Sequence, residues 1–303
     1  MIVEVLSGAV RAGTSVLYAS AGELISQRAG VINLGTEGSM LAGAFAAFAV
    51  TADTGSPLLG IMAGGMAGCL MALVHAILVI FRKANQLASG LAVIFLAQGV
   101  TAFFGQSYVN KQAKSLPVID IPVLSDIPWI GTILFKHDVL TYCSYLLVFL
   151  LWLLLFHSRF GLLLRSAGER DDVVHASGYN PNRIRFCAVL AGGFLAGVGG
   201  AQLSVAFTHI WVENMTQGRG FIAVALVIFA SWFPGRVMVG AYLFGGAQAL
   251  QLSLQARGVD ISPYLLFMLP YVLTLVVLFL VERKKFSWTP QALQQVFEGG
   301  KGR

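Results

Sequence analysis

Seven runs of apolar residues, at 58–81, 87–104, 139–156, 186–207, 221–233, 237–255 and 264–281, restrict what this chain can fold into. A helix needs about 20 apolar residues to cross a bilayer, and helices satisfy their own backbone there. Most of the runs approach that length; the run at 221–233 is short and leans on its neighbours. Hydrophobic residues make up 57% of the 303 and charged residues 11%, against about 25% charged in soluble domains. No single soluble core encloses that excess. The expected fold is an all-α polytopic membrane protein with about eight to ten crossings. A transmembrane domain over 1–283 is followed by a polar tail over 284–303, where a short helix through 291–297 competes with a solvated end. The 34 glycines suit close helix packing. Gly60, Gly64 and Gly68 in one span, and Gly193 and Gly197 in another, are candidate contacts.

Loop charge orients the spans. One alternate set of loops, with the C-terminal tail, holds thirteen Lys and Arg residues between Arg82 and Arg303, and the other holds five: Lys111, Lys114, Lys136, Arg219 and Arg257. The first set, with the C-terminus, is expected on the cytoplasmic side. The loop 106–138 is then external, and Pro117, Pro122 and Pro128 suggest an ordered cap. Arg219, between two glycines at the start of a span, reads as an interfacial anchor. The net charge of +6 would suggest nucleic acid in a soluble protein; here basic loops account for it, so the lipid bilayer is the expected partner and nucleic acid is not. Cys69, Cys143 and Cys187 read as packing residues, and His75, His175 and His209 lack metal spacing, so no metal or cofactor is expected. The first segment carries Glu4 and Arg11 and lacks the pattern of a cleaved leader.

Residues 165–185 form a polar island, RSAGERDDVVHASGYNPNRIR, among these spans. Ser166 and Glu169 have capping-box spacing, and Glu169, Asp171 and Asp172 would crowd the first turn of a helix, where its dipole favours acids. Gly178 is placed to stop that helix. Asn180 and Pro181 then restart one, as N-cap and first residue. A short cytoplasmic helix at about 166–178 is therefore expected, with Val173, Val174 and Ser177 as a modest apolar face. A loop capped at both ends suits force transmission to a soluble partner better than mere connection.

A second interruption is Gly30-Val31-Ile32-Asn33-Leu34-Gly35-Thr36-Glu37-Gly38. A carboxylate within hydrocarbon costs about 2.5–3.5 kcal/mol on insertion scales and is usually offset by a cavity or a partner. Two readings stay open. The segment is a broken membrane helix near Asn33–Gly38 whose polar groups face a solute, or it is a cytoplasmic turn in which Asn33 or Thr36 caps the next helix and Glu37 sits in its first turn. Glu23, Gln86, Gln98, Gln202, Gln248 and Gln251 are further polar candidates in apolar surroundings. Gln248 and Gln251 share a helix face, and amides suit a neutral solute, although a membrane glutamine is more often interhelical glue.

The sequence has no phosphate-binding G-x-x-x-x-G-K-[ST] loop, no H-E-x-x-H and no G-x-S-x-G. The chain is expected not to be an enzyme, and energy for active transport has to come from a partner or an ion gradient. A stand-alone secondary transporter would show internal repeats and buried ionisable residues for coupling; no convincing repeat is present. An intramembrane enzyme would need a convergent catalytic set, and none is visible.

Gln27-Arg28-Ala29-Gly30-Val31-Ile32-Asn33-Leu34-Gly35-Thr36-Glu37-Gly38 resembles the E-R-x-G-[VI]-[VI]-N-[LI]-[GA]-x-E-G signature of ABC importer permeases of the branched-chain amino-acid and simple-sugar superfamily. It is closest to the nucleoside-uptake branch. Gly178-Tyr179-Asn180-Pro181 with Arg183-Ile184-Arg185 resembles that branch's coupling region, Thr216 to Ala223 its T-x-G-R-G-[FW]-[IL]-A segment, and Gln248-Ala249-Leu250-Gln251 its late-helix pattern. Gln27 departs from the usual Glu, and Ala230-Ser231-Trp232-Phe233-Pro234-Gly235 starts bulkier than the usual G-x-W-x-P. The resemblance implies a permease for nucleosides or related nucleobase compounds in a bacterial cytoplasmic membrane, with a simple sugar or other small polar solute as the alternative. It implies two paired permease subunits, ABC ATPase subunits gripping the coupling helix, and an extracytoplasmic substrate-binding (lipo)protein. Asn33, Thr36, Glu37, Gln98 and Gln248 are expected along the substrate path. Glu169, Asp172, Val174, Ser177, Gly178 and Pro181 are expected at the ATPase coupling site.

Overall fold

The computed structural model describes residues 2–109, 111–122, 124–258, 262, 265–266, 268–273, 276 and 290–297. The apolar runs fold as helices: α1 (Ile2–Arg28), α2 (Thr36–Thr54), α3 (Pro57–Ala76), α4 (Gln86–Gly105), α6 (Val139–His157), α9 (Pro181–Ala201), α10 (Arg219–Phe229) and α11 (Pro234–Ala256). Between them lie the shorter α5 (Ile130–Leu134), α7 (Arg159–Glu169) and α8 (Asp171–Ala176). π-Helical turns extend α3 through Ile77–Phe81 and α9 through Gln202–Thr208. Among the described residues, six helices are long and apolar enough to cross a membrane: α1, α3, α4, α6, α9 and α11. α2 adds 19 residues, largely buried, or about 28 Å of helix. The expected run at 264–281 lies largely outside the described residues. Pro57, Pro181 and Pro234 each open a helix, where proline's missing N–H costs no hydrogen bond.

α9 forms the centre, packed between α1, α2 and α3. Ser26 of α1 reaches the Ala188 carbonyl while Gln202, just beyond α9, reaches the Arg11 carbonyl, so α1 and α9 run antiparallel. The two glycine series noted in the sequence face one another. A Cβ on Gly68 would strike the backbone of Gly193 and Gly197, and one on Gly197 the backbone of Gly64 and Gly68. Lipid provides no hydrophobic drive between helices, so close backbone packing has to hold them.

The segment 29–35 is a turn that joins two separate helices, α1 and α2, with Gly30 at φ +88. Neither Asn33 nor Thr36 caps α2: Gly35 holds the N-cap position without a side-chain bond, and Thr36 is the first helical residue. The loop 106–138 is ordered by a two-stranded antiparallel sheet, β1 (Val118–Asp120) with β2 (Lys136–Asp138), in which Val118 faces Asp138. Asp138 then caps α6, accepting from the Thr141 N–H and hydroxyl, both at 3.0 Å.

The polar island differs from expectation at its start. Ser166 and Glu169 form no capping box, because both lie inside α7, which is capped by Ser158 through the Gly161 N–H at 2.9 Å. The Ser166 carbonyl accepts the Arg170 N–H at 2.8 Å, ending α7. The helix extends past Ser166 because Leu164, Ala167 and Gly168 are buried, with Gly168 against the Arg28 carbonyl. The separate short helix is α8, six residues from Asp171 to Ala176. Its far end matches the sequence reading: Gly178 has φ +81, and the Asn180 side chain accepts from the Asn182 and Arg183 N–H groups at 2.9 and 3.4 Å. The α1–α2 turn lies on this same face, since Gly30 approaches Gly168 and Arg185. The C-terminal helix Gln291–Phe297 packs there too, against α7, with Leu293 fully buried.

Candidate functional site

Buried polar groups converge around the α1–α2 turn. Glu23 Oε1 accepts from the Asn33 N–H and the Gln27 amide, each at 3.0 Å, and Oε2 accepts from the Thr36 hydroxyl at 3.0 Å. The Gln86 side chain accepts the Ile32 N–H at 2.9 Å. His75 Nε2 lies 3.2 Å from the Ile32 carbonyl, which can only accept, so that nitrogen carries the proton and Nδ1, 3.1 Å away, accepts from Ser89. Gln27 Oε1 accepts from the Trp232 indole at 2.8 Å, and Arg28 donates to the Trp232 carbonyl at 2.9 Å. His75 read as ordinary in the sequence; its position on one face with Ser89 emerges only when α3 and α4 pack.

Glu37 is enclosed by the segment just before α10 and its first turn. Its Oε1 accepts from the Thr216 hydroxyl at 2.6 Å and the Gly218 N–H at 2.8 Å, and its Oε2 from the Gly220 N–H at 2.6 Å. A Cβ on Gly220 would strike the Glu37 backbone, so glycine permits this approach. Asn33, Thr36 and Glu37 are therefore neighbours, but Thr36 and Glu37 are engaged by the protein itself. Asn33 is 1% exposed and its Oδ1 has no partner among the described residues. Gln98 stands apart on α4, half-buried. Gln248 lies elsewhere, lining a cavity of about 440 Å³ with Gln217, Arg219, Gln251 and Tyr271. Arg219 is not an interfacial anchor: it is 6% exposed and donates to Ser15 at 3.2 Å.

The expected coupling residues cluster at the α7–α8 corner in different environments. Asp172 is exposed and pairs with Arg170 at 2.9 Å. That hydrogen bond holds its carboxyl below the usual carboxylate range. Ser177 is exposed and donates to the Val173 carbonyl at 2.9 Å. Glu169 accepts the Gln291 N–H at 3.3 Å. Val174 and Pro181 are buried within the chain, so Val174 does not share an outward face with Val173, which is 48% exposed. Tyr179, 53% exposed, stands with Val173 as outward apolar surface. Arg185, a sequence match without an assigned role, braces the corner. It donates to the Ala167 carbonyl at 2.7 Å and the Ala29 carbonyl at 3.1 Å, and forks onto Asp171 at 2.6 and 3.0 Å.

A polytopic helical bundle with a short braced helix at one face, and no nucleotide-binding motif of its own, has the build of a transporter's permease subunit. The chain belongs to the family described as branched-chain amino acid transport system / permease component, whose model matches residues 4–281; it is an ABC transporter permease subunit. A putative glucose ABC transporter permease protein of Haloferax volcanii is 43% identical over 85% of this chain and 80% of its own length. A guanosine ABC transporter permease protein of Bacillus subtilis is 35% identical over 91% and 92%. A nucleoside ABC transporter permease protein of Lactococcus lactis is 33% identical over 88% of each. No solved structure matches the chain.

Proposed function

We propose that this chain is the translocating subunit of an ATP-driven importer for nucleosides or related nucleobase compounds in a bacterial cytoplasmic membrane. The observation that carries the reading is the match, over nearly the full length of both partners, to permeases named for guanosine and for nucleosides. The α7–α8 face is cytoplasmic in this reading, as loop charge suggests. The tail then ends inside, and α1 begins on the external side. ABC ATPase subunits dock on α8 through Val173, Tyr179 and the exposed acids, with Glu169, Ser177 and Gly178 beside them. Val174 and Pro181 act from behind by fixing the helix. Arg185 passes motion from α8 to the α1–α2 turn, because one guanidinium holds both. A second permease subunit completes the path, and an external binding protein delivers the solute past the loop 106–138.

A simple sugar is the second reading, favoured by the 43% identity to the putative glucose permease. Purifying the tagged chain in mild detergent tests both. Recovery of an ATPase, a second permease and a binding protein is expected, and calorimetry on that binding protein should register nucleosides. A binding protein that takes only sugars moves the assignment to the second reading. A chain that arrives alone and transports without ATP ends the importer reading.

A further inference from the structure

The segment that holds Glu37 also carries a cation into the interior. Arg219 lies over the Phe207 ring at 5.9 Å, and its Nε has no partner among the described residues. Its side chain helps line the cavity of about 440 Å³, a size that suits a small-molecule site. Gln251, 4% exposed, lines the same cavity. Gln248 Oε1 is enclosed and has no partner among the described residues. Buried amide and guanidinium atoms in a folded interior are rarely left without partners, and here Gln248 Oε1 and Arg219 Nε, both unpaired among the described residues, belong to residues that line one cavity. Phe207, Phe244 and Tyr271 supply the aromatic surface beside them.

This chemistry fits a flat, neutral, heteroaromatic ligand. An amide side chain offers a donor and an acceptor together, matching the edge of a base, and rings stack on its face. Arg219 can only donate, so it seeks a carbonyl or ring-nitrogen acceptor. Among the described residues no Asp or Glu lines the cavity, and nearby Glu37 is held by three hydrogen bonds of its own. We propose that this cavity binds the nucleobase of the passing solute, with Gln248 and Gln251 reading its edge and Arg219 favouring oxo-bases such as guanine over adenine. The proposal deepens the nucleoside reading and rests on it.

The test uses the transporter purified with its partner subunits, reconstituted in proteoliposomes, and ATP-driven uptake of guanosine, adenosine and D-glucose. The unaltered transporter should prefer guanosine to adenosine. Gln251→Leu should lower guanosine uptake about tenfold with the complex recovered in normal yield, the effect of one good base contact. Gln251→Glu, whose carboxylate accepts from the N1–H and 2-amino group of guanine but offers no donor to adenine N1, should shift the guanosine-to-adenosine ratio about tenfold toward guanosine. Equal losses for both nucleosides, or no loss, would give Gln251 a packing role and overturn the proposal while nucleoside transport stands. If Gln251→Leu fails to assemble, the ratio shift in Gln251→Glu decides, with Gln248→Leu as the second variant. Uptake of glucose alone by the unaltered protein would overturn the nucleoside reading itself.

Discussion

Glu37 and Gln27 show how little a single side chain's chemistry says before its partners are known. Glu37 carries three hydrogen bonds from a segment 179 to 183 residues away in the chain, between 2.6 and 2.8 Å. Glu37→Ala removes the acceptor from all three donors, and each orphaned buried donor costs about 1–3 kcal/mol. The variant should melt well below the unaltered protein in detergent and assemble poorly. Asn33→Ala removes a side chain whose oxygen has no partner among the described residues, so thermal stability should change little while uptake falls. Unchanged melting in Glu37→Ala would show that the carboxylate is not the anchor of the α10 start. Gln27 explains its own departure from the family signature. Its amide donates to Glu23 and accepts from Trp232 at once; a carboxylate could accept from Trp232 but would face the Glu23 carboxylate with no proton to give.

At the scale of elements, α8 splits two adjacent valines between roles. Val174 is 1% exposed and Val173 is 48% exposed. Val174→Asp buries a charge without a partner, which is strongly destabilising, so the purified chain should lose its sharp thermal transition. Val173→Asp should leave that transition in place and weaken ATPase recovery in a pull-down. Equal behaviour of the two would refute the assignment of the docking face. The helix's far end was legible because a glycine in the left-handed region and an Asn-Pro restart are local devices. The near end was not. Ser166 and Glu169 satisfy the spacing of a cap, but burial of Leu164, Ala167 and Gly168 carries α7 through them. The local signal for the true start was Ser158, three residues before the Gly161 N–H that it caps.

For the whole molecule, α9 is the axis on which α1, α2 and α3 converge, and its small residues decide whether the bundle closes. Gly197→Val should abolish folding, because even a Cβ meets the backbone of Gly64 and Gly68. Gly99→Ala, where a Cβ meets nothing within 4 Å, should be neutral or stabilise by up to about 1 kcal/mol through helix propensity. Size-exclusion profiles in detergent separate the two; a monodisperse Gly197→Val would contradict the packing. The sequence by itself determined the class of fold, the main helices, the glycine-bearing spans and the restart at Pro181, since apolar length, turn chemistry and capping act within a few residues. Only the tertiary structure decided that the 29–35 segment is a turn between two helices, that Thr216–Gly220 encloses Glu37, that Arg185 ties α8 to the α1–α2 turn, and that Arg219 lines a cavity with Gln248 and Gln251. Those pairings join residues far apart in the chain, and a buried carboxylate, guanidinium or amide reveals its role only through the groups that packing brings within hydrogen-bond reach.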